Sequence, residues 1–173
     1  IQQGAEWRDH WAFEAPIRPP VPRPRFWKWA SNNIDNFILA RLNRSGLRPA
    51  PQADRYTLAR RVSFDLTGLP PNPADVTAFV NDTSAGAYEL FVDKMLSSDH
   101  FGERMAVAWL DAARYGDTSV FHADGPRDMW AWRDWVVRAY NTNKSFRAFS
   151  TEQLAGDLLP GSTAEQRIAT GFS

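Results

Sequence analysis

"ADRYTLARRVSFDLTGLPPNPADVTAFV", Ala53 to Val80, decides the fold class, because it carries two sets of helix punctuation back to back. Asp54 stands where an N-cap belongs, and Gly68 closes the run ahead of Pro70 and Pro71, which cannot extend a helix. Asn72 then offers a side-chain oxygen to the free N–H groups of a second helix. Pro73 suits its first position, where an N–H would be unpaired anyway, and Asp75 lies at the positive end of its dipole. The pattern spreads in both directions. Upstream, "NIDNFILARLNRSG" places Ile34, Phe37, Ile38, Arg41 and Leu42 on one stripe and ends on Gly46. Downstream come "SAGAYELFVDKMLSS", "HFGERMAVAWLDAARYG", "PRDMWAWRDWVVRAYN", "SFRAFSTEQLAGDLL" and "TAEQRIATGF". No stretch alternates as a strand does. Eight short helices joined by short loops predict an all-α, irregular multi-helix domain over residues 34–173.

Ahead of it, "APIRPPVPRPR" sets five prolines between Ala15 and Arg25, a spacing that excludes helix and central strand and favours polyproline II. Residues 14–33 therefore read as an extended, proline-rich N-terminal arm, expected to pack on the helical body through Trp27 and Trp29. Residues 1–13 read as the end of an upstream element. The chain opens on Ile1 and closes on "RIATGFS", so it reads as a piece of a longer protein.

Composition narrows the function classes. Apolar residues make up 43% of 173, with eight Trp and eleven Phe, enough for a packed core. Lys plus Arg and Asp plus Glu both number 20, so no net positive field recruits phosphates and a nucleic-acid partner is not expected. No apolar run approaches the length of a transmembrane segment. With no cysteine, this chain holds no disulfide, no thiolate metal site and no covalently attached c-type haem.

The chemistry-bearing residues concentrate in "GERMAVAWLDAARYGD", Gly102 to Asp117. On a helical wheel His100, Glu103, Arg104, Val107, Asp111, Arg114 and Tyr115 share an arc of roughly 120°, opposite Met105, Ala106, Trp109, Leu110, Ala112 and Ala113. In the next helix Arg133 falls among Met129, Trp130, Val136, Val137 and Tyr140. An arginine on an apolar face needs a carboxylate, and Asp111, Asp117 and Asp124 are the candidates, with Asp111 the expected partner. The same reading sets Trp132 apart from Trp130 and Trp135, so either one indole is exposed, as in a sugar-stacking platform, or the three divide between the core and an interface with a neighbouring domain. Glu103, Asp111, Arg114, Tyr115 and Arg133 are the candidate catalytic residues. Asp117 and Asp124, in the irregular loop from Gly116 to Gly125, are candidate ligands of a hard cation such as calcium. Three histidines, with no HExxH pair, give no zinc signature, and neither GxSxG nor a phosphate-binding glycine loop is present.

The succession "HWAF", "IDNFILARL", "RRVSFDLTGLPPNPADV", "HFGERMAVAWLDAARYGDT", "WRDWVVRAYN", "EQLAGDLLPG" and "EQRIATGF" resembles the second of the planctomycete cytochrome-associated domains, domain of unknown function 1549. The resemblance spans nearly the whole chain. It implies an exported, multidomain setting in which a neighbouring domain carries c-type haem, in bacteria that degrade polysaccharides. It brings no reaction. Members commonly carry acidic or Asn residues and a Gly-Tyr pair after the ARY motif, where this chain has Ser119, Val120, Phe121 and His122. If that loop binds a cation in the family, this version lacks an oxygen ligand.

Three functions follow as alternatives. The first is a non-haem helical module that binds or couples, with neighbouring domains and a carbohydrate ligand as partners. The second is an enzyme acting on a sugar or sugar acid through an Asp/Glu/Arg/Tyr cleft. The third is a structural interaction domain in which the charged row braces two helices.

Overall fold

In the computed structural model, residues 10–25, 27–119 and 124–172 are described. Among the described residues eight α-helices follow one another: α1 (Asn33–Arg44), α2 (Arg55–Thr67), α3 (Pro73–Asn81), α4 (Ala87–Leu96), α5 (Asp99–Ala112), α6 (Trp130–Asn141), α7 (Phe146–Ala155) and α8 (Ala164–Ala169). Among the described residues the only β-type pairing is one isolated bridge, Thr118 with Pro126. The all-α reading holds. None of these helices is long and apolar enough to cross a membrane.

The local punctuation sits where the residue types demand. Asp54 accepts from the Thr57 amide at 2.9 Å, and Asn72 accepts from the Ala74 amide at 2.8 Å with Pro73 opening α3. Gly68 closes α2 at φ 72°, the left-handed region that costs glycine least. At exposed Asp54 the capping amide and then the hydroxyl of Thr57, which favour the ionised form, outweigh desolvation and hold its carboxyl below the usual value. A depressed folded pKa contributes stability that is complete above the unfolded value of 3.8 and is lost as pH falls through the folded value. Asp54→Asn keeps the cap without the titration. It should flatten part of the decline in unfolding midpoint below about pH 5, measurable by urea denaturation at stepped pH.

The chain divides into two compact units, residues 1–52 and 53–173. In the first, α1 is fixed by a capping box between Asn32 and Asp35, and the Asn43 amide donates to the Arg25 carbonyl at 3.1 Å. Pro20, Pro22 and Pro24 border a groove whose other wall is Phe37, Ala40 and Asn43 of α1. Residues 15–24 form no regular element. Trp29 is 44% exposed, and the Trp27 side chain lies outside the described residues.

The second unit holds two cores. Ala59, Val62, Phe79, Ala87, Phe91 and Met95 join α2, α3 and α4, with the Phe79 and Phe91 rings 4.9 Å apart. Arg55 donates to the Phe79 carbonyl and lies 4.2 Å over its ring, so the start of α2 satisfies a backbone acceptor near the end of α3. Ala106, Trp132, Trp135, Val136, Ala139, Phe149 and Ala169 join α5 to α8. Burying each large side chain there contributes about 1.5–3 kcal/mol.

This second core corrects the reading of α6. Trp132 and Trp135 are three residues apart, hence on one helical face, and both are buried; Trp130 is the exposed indole at 56%. The buried stripe is therefore Trp132, Trp135, Val136 and Ala139, and Arg133 flanks it. On α5, Ala106 is sealed as expected, whereas Ala112 is exposed.

Candidate functional site

α5 ends in a Schellman motif: the Arg114 amide donates to the Asp111 carbonyl at 3.1 Å and the Tyr115 amide to the Leu110 carbonyl at 2.9 Å. The motif needs a left-handed residue after the cap. α1 supplies Gly46 (φ 69°) and α6 supplies Asn143 (φ 49°), but α5 uses Arg114 (φ 54°). A β-carbon in that region costs about 1 kcal/mol, which an ordinary helix end avoids with glycine. Arg114→Gly should therefore raise stability by about 1 kcal/mol, read as a higher urea midpoint. Residues held in strained backbone cluster at functional sites, and this one lines a recess.

The recess, of about 70 Å³, is lined by Ala113, Arg114, Tyr115, Gly116, Arg127, Met129, Trp132 and Gly171. Tyr115 stacks on Trp132, ring centroids 6.0 Å apart and planes at 29°. Its hydroxyl donates to the Asp117 carboxylate in a short hydrogen bond. Burial, then this bond, raises the phenol pKa, while the nearby Arg133 charge opposes the rise. The phenol thus stays protonated at neutral pH. The loop that brings Arg127 to this point is closed at its base: the Arg127 amide donates to the Asp117 carbonyl at 2.8 Å and the Ser119 amide to the Gly125 carbonyl at 3.0 Å. Arg114 and Arg127 are exposed, and neither guanidinium has an ion-pair or hydrogen-bond partner among the described residues.

The residues of the predicted row do not gather round one cavity. Arg133 and Asp111 do not meet. Arg133 pairs with its neighbour Asp134 at 3.0 Å, both side chains about 40% exposed, and its charge is felt by Tyr115 and Asp117. Asp111 is exposed, with no ion-pair partner among the described residues. The rotation of α6 that buries Trp132 and Trp135 turns Arg133 to the edge, where the carboxylate next in sequence serves it. Glu103 belongs to a different surface. It takes the His100 ring at 2.7 Å and lines an open groove of about 540 Å³ with Leu110, Arg133, Asp134, Val137 and Arg138. Tyr115 and Glu103 therefore face separate cavities.

Asp117 is engaged by Tyr115, and no group of three His, Asp or Glu side chains with metal-binding geometry exists among the described residues. His122 lies outside them. Asp117 and Asp124 do not by themselves make a calcium centre, which takes six to eight oxygens. Arg127 and Trp132 are the recess residues that sequence reading passed over. Trp132 was legible from its spacing to Trp135; Arg127 was not, since its place depends on closure of the 117–127 loop.

A family model described as PSCyt2, protein of unknown function (DUF1549), matches residues 33–173. No curated protein and no solved structure matches the chain.

Proposed function

The chain belongs to the PSCyt2 (DUF1549) family, a planctomycete cytochrome-associated domain of unknown function, and on that premise we propose that it is a binding module for an acidic carbohydrate. The observation that carries this reading is the pair of arginines, Arg114 and Arg127, that line one recess and have no carboxylate partner among the described residues. Guanidinium forks recognise carboxylates bidentately, and the Tyr115 ring, its hydroxyl already donating to Asp117, walls the recess beside them. A recess of about 70 Å³ admits a carboxylate rather than a whole sugar, so the uronate group enters and the ring lies on the surface around it.

Binding is favoured over catalysis by the lining itself. Glycoside hydrolysis needs two carboxyl groups flanking one bond, and no Asp or Glu lines the recess. The brace reading is not favoured, since Arg133 pairs with Asp134 of its own helix, both about 40% exposed, and such a pair contributes little. An exported, multidomain setting with a haem-carrying neighbour belongs to the same proposal and rests on the family resemblance.

Affinity electrophoresis tests it. The chain should be retarded in a gel containing polygalacturonate, not in one containing neutral dextran, and added salt should weaken the effect. Arg127→Gln should weaken retardation about tenfold, the scale of one charge-assisted hydrogen bond. Equal retardation by the two polymers would overturn the reading.

A further inference from the structure

We propose that the aromatic cavity at the C-terminal end of α6 is a second binding site, one that takes a small neutral phenolic ring. Phe101 and Trp109 of α5, Tyr140 of α6, and Phe146 and Phe149 of α7 enclose a space of about 330 Å³, at the small end of the range for ligand pockets. It lies beyond the opposite end of α6 from Met129 and Trp132, which line the Arg114 recess.

The walls specify the ligand. Trp109 meets Phe149 edge-on, centroids 5.2 Å apart at 69°, and Tyr140 meets it tilted, at 5.7 Å and 53°. Rings set at such angles present both faces and edges, the arrangement that another aromatic ring complements through its quadrupole. The charged and polar groups of the wall are mostly spent: Lys144 is paired with Glu152 at 2.5 Å, and the Trp109 indole donates to Gln153 at 3.0 Å. That leaves the half-buried Tyr140 hydroxyl, which makes no hydrogen bond to a described residue, and the exposed Asn143 side chain. Burial raises the Tyr140 pKa, so the group remains a neutral donor and acceptor. Two polar contacts satisfy one phenolic oxygen. They are too few for a pyranose, whose several hydroxyls would be stranded against aromatic walls. Phe146 is 76% exposed although it borders the cavity, an apolar ring left uncovered at its mouth.

The test is saturation-transfer NMR on the 173-residue chain with p-cresol, toluene and methyl α-glucoside as probes. p-Cresol should receive saturation and give a measurable dissociation constant. Phe146→Ala, a change at an exposed position, should weaken it about fivefold. Tyr140→Phe should weaken p-cresol by a similar factor but leave toluene unchanged, which a loss of folding would not do. Thermal unfolding of each variant confirms the fold. No transfer to p-cresol, p-cresol affinity in either variant equal to the parent's, or stronger transfer to methyl α-glucoside competing at this cavity would overturn the proposal.

Discussion

Gly156→Ala is expected to destabilise the second unit by about 3 kcal/mol or more and to lower its melting temperature by about 10 °C. Backbone preference is not the reason, since Gly156 has φ −61° and ψ −35°, which alanine adopts freely. Space is. A β-carbon at Gly156 would stand 2.0 Å from the Gln166 carbonyl oxygen and 2.9 Å from its carbon, both backbone atoms. Relief requires moving α8. There Gln166 closes a capping box with Thr163, and Ala169 is fully buried in the larger core. Lifting the helix therefore forfeits a cap and core packing together. Gly125→Ala is the matched control, with nothing within 4 Å and no left-handed φ, and should lie within about 0.5 kcal/mol of the parent. A Gly156→Ala melting curve that overlays the parent would mean that α8 does not seat on this glycine.

Gly102→Ala is expected to cost about 2–3 kcal/mol by forcing α5 and α6 apart. The added carbon would meet the Val137 carbonyl oxygen at 2.4 Å and the Asn141 side-chain oxygen at 2.5 Å. Asn141 can swing away, but at a cost, because it bridges the two helices. Its oxygen accepts from the Gly102 amide at 2.6 Å, and its amide donates to the Asp99 carbonyl at 2.9 Å, so the last residue of α6 ties down the first turn of α5. Val137 offers no such escape. Asn141→Ala should cost about 1–2 kcal/mol through the unmet Gly102 donor. Chemical denaturation of the two single variants and the double variant separates these terms. The double variant should be less destabilised than the sum, since Asn141 is one of the two obstacles. Strict additivity would place the clash wholly at Val137.

The legible part of the fold is the part encoded by neighbours in sequence. Asp54, Gly68, Asn72 and Pro73 announce themselves because a cap is satisfied within three residues of itself. Gly102 gave a weaker signal, a glycine inside a helical run, whose meaning rests on Val137 and Asn141 more than thirty residues away. The end of α5 misleads for a related reason. A Schellman motif is expected to show glycine, and "AARYG" has its glycine two residues after the residue that turns.

The candidate site was legible in its residues and not in its partners. Arg114 and Tyr115 do line a recess, but with Arg127 rather than Asp111. Charge complementarity across two helices suggested Asp111 with Arg133. The rotation of α6 is instead decided by burial of Trp132 and Trp135, which contributes more than an exposed ion pair can. Once that face is inside, Asp134 answers Arg133 from the adjacent position.

Calorimetric titration of the chain with trigalacturonic acid, beside the Arg114→Gly/Arg127→Gln double variant, decides whether the Arg114 recess takes a uronate. The binding account predicts saturable binding by the parent, weakened by raised salt and reduced at least about tenfold in the double variant. The variant should be no less stable than the parent, because Arg114→Gly relieves the left-handed strain. Undiminished binding by the double variant, or none by the parent, would contradict it.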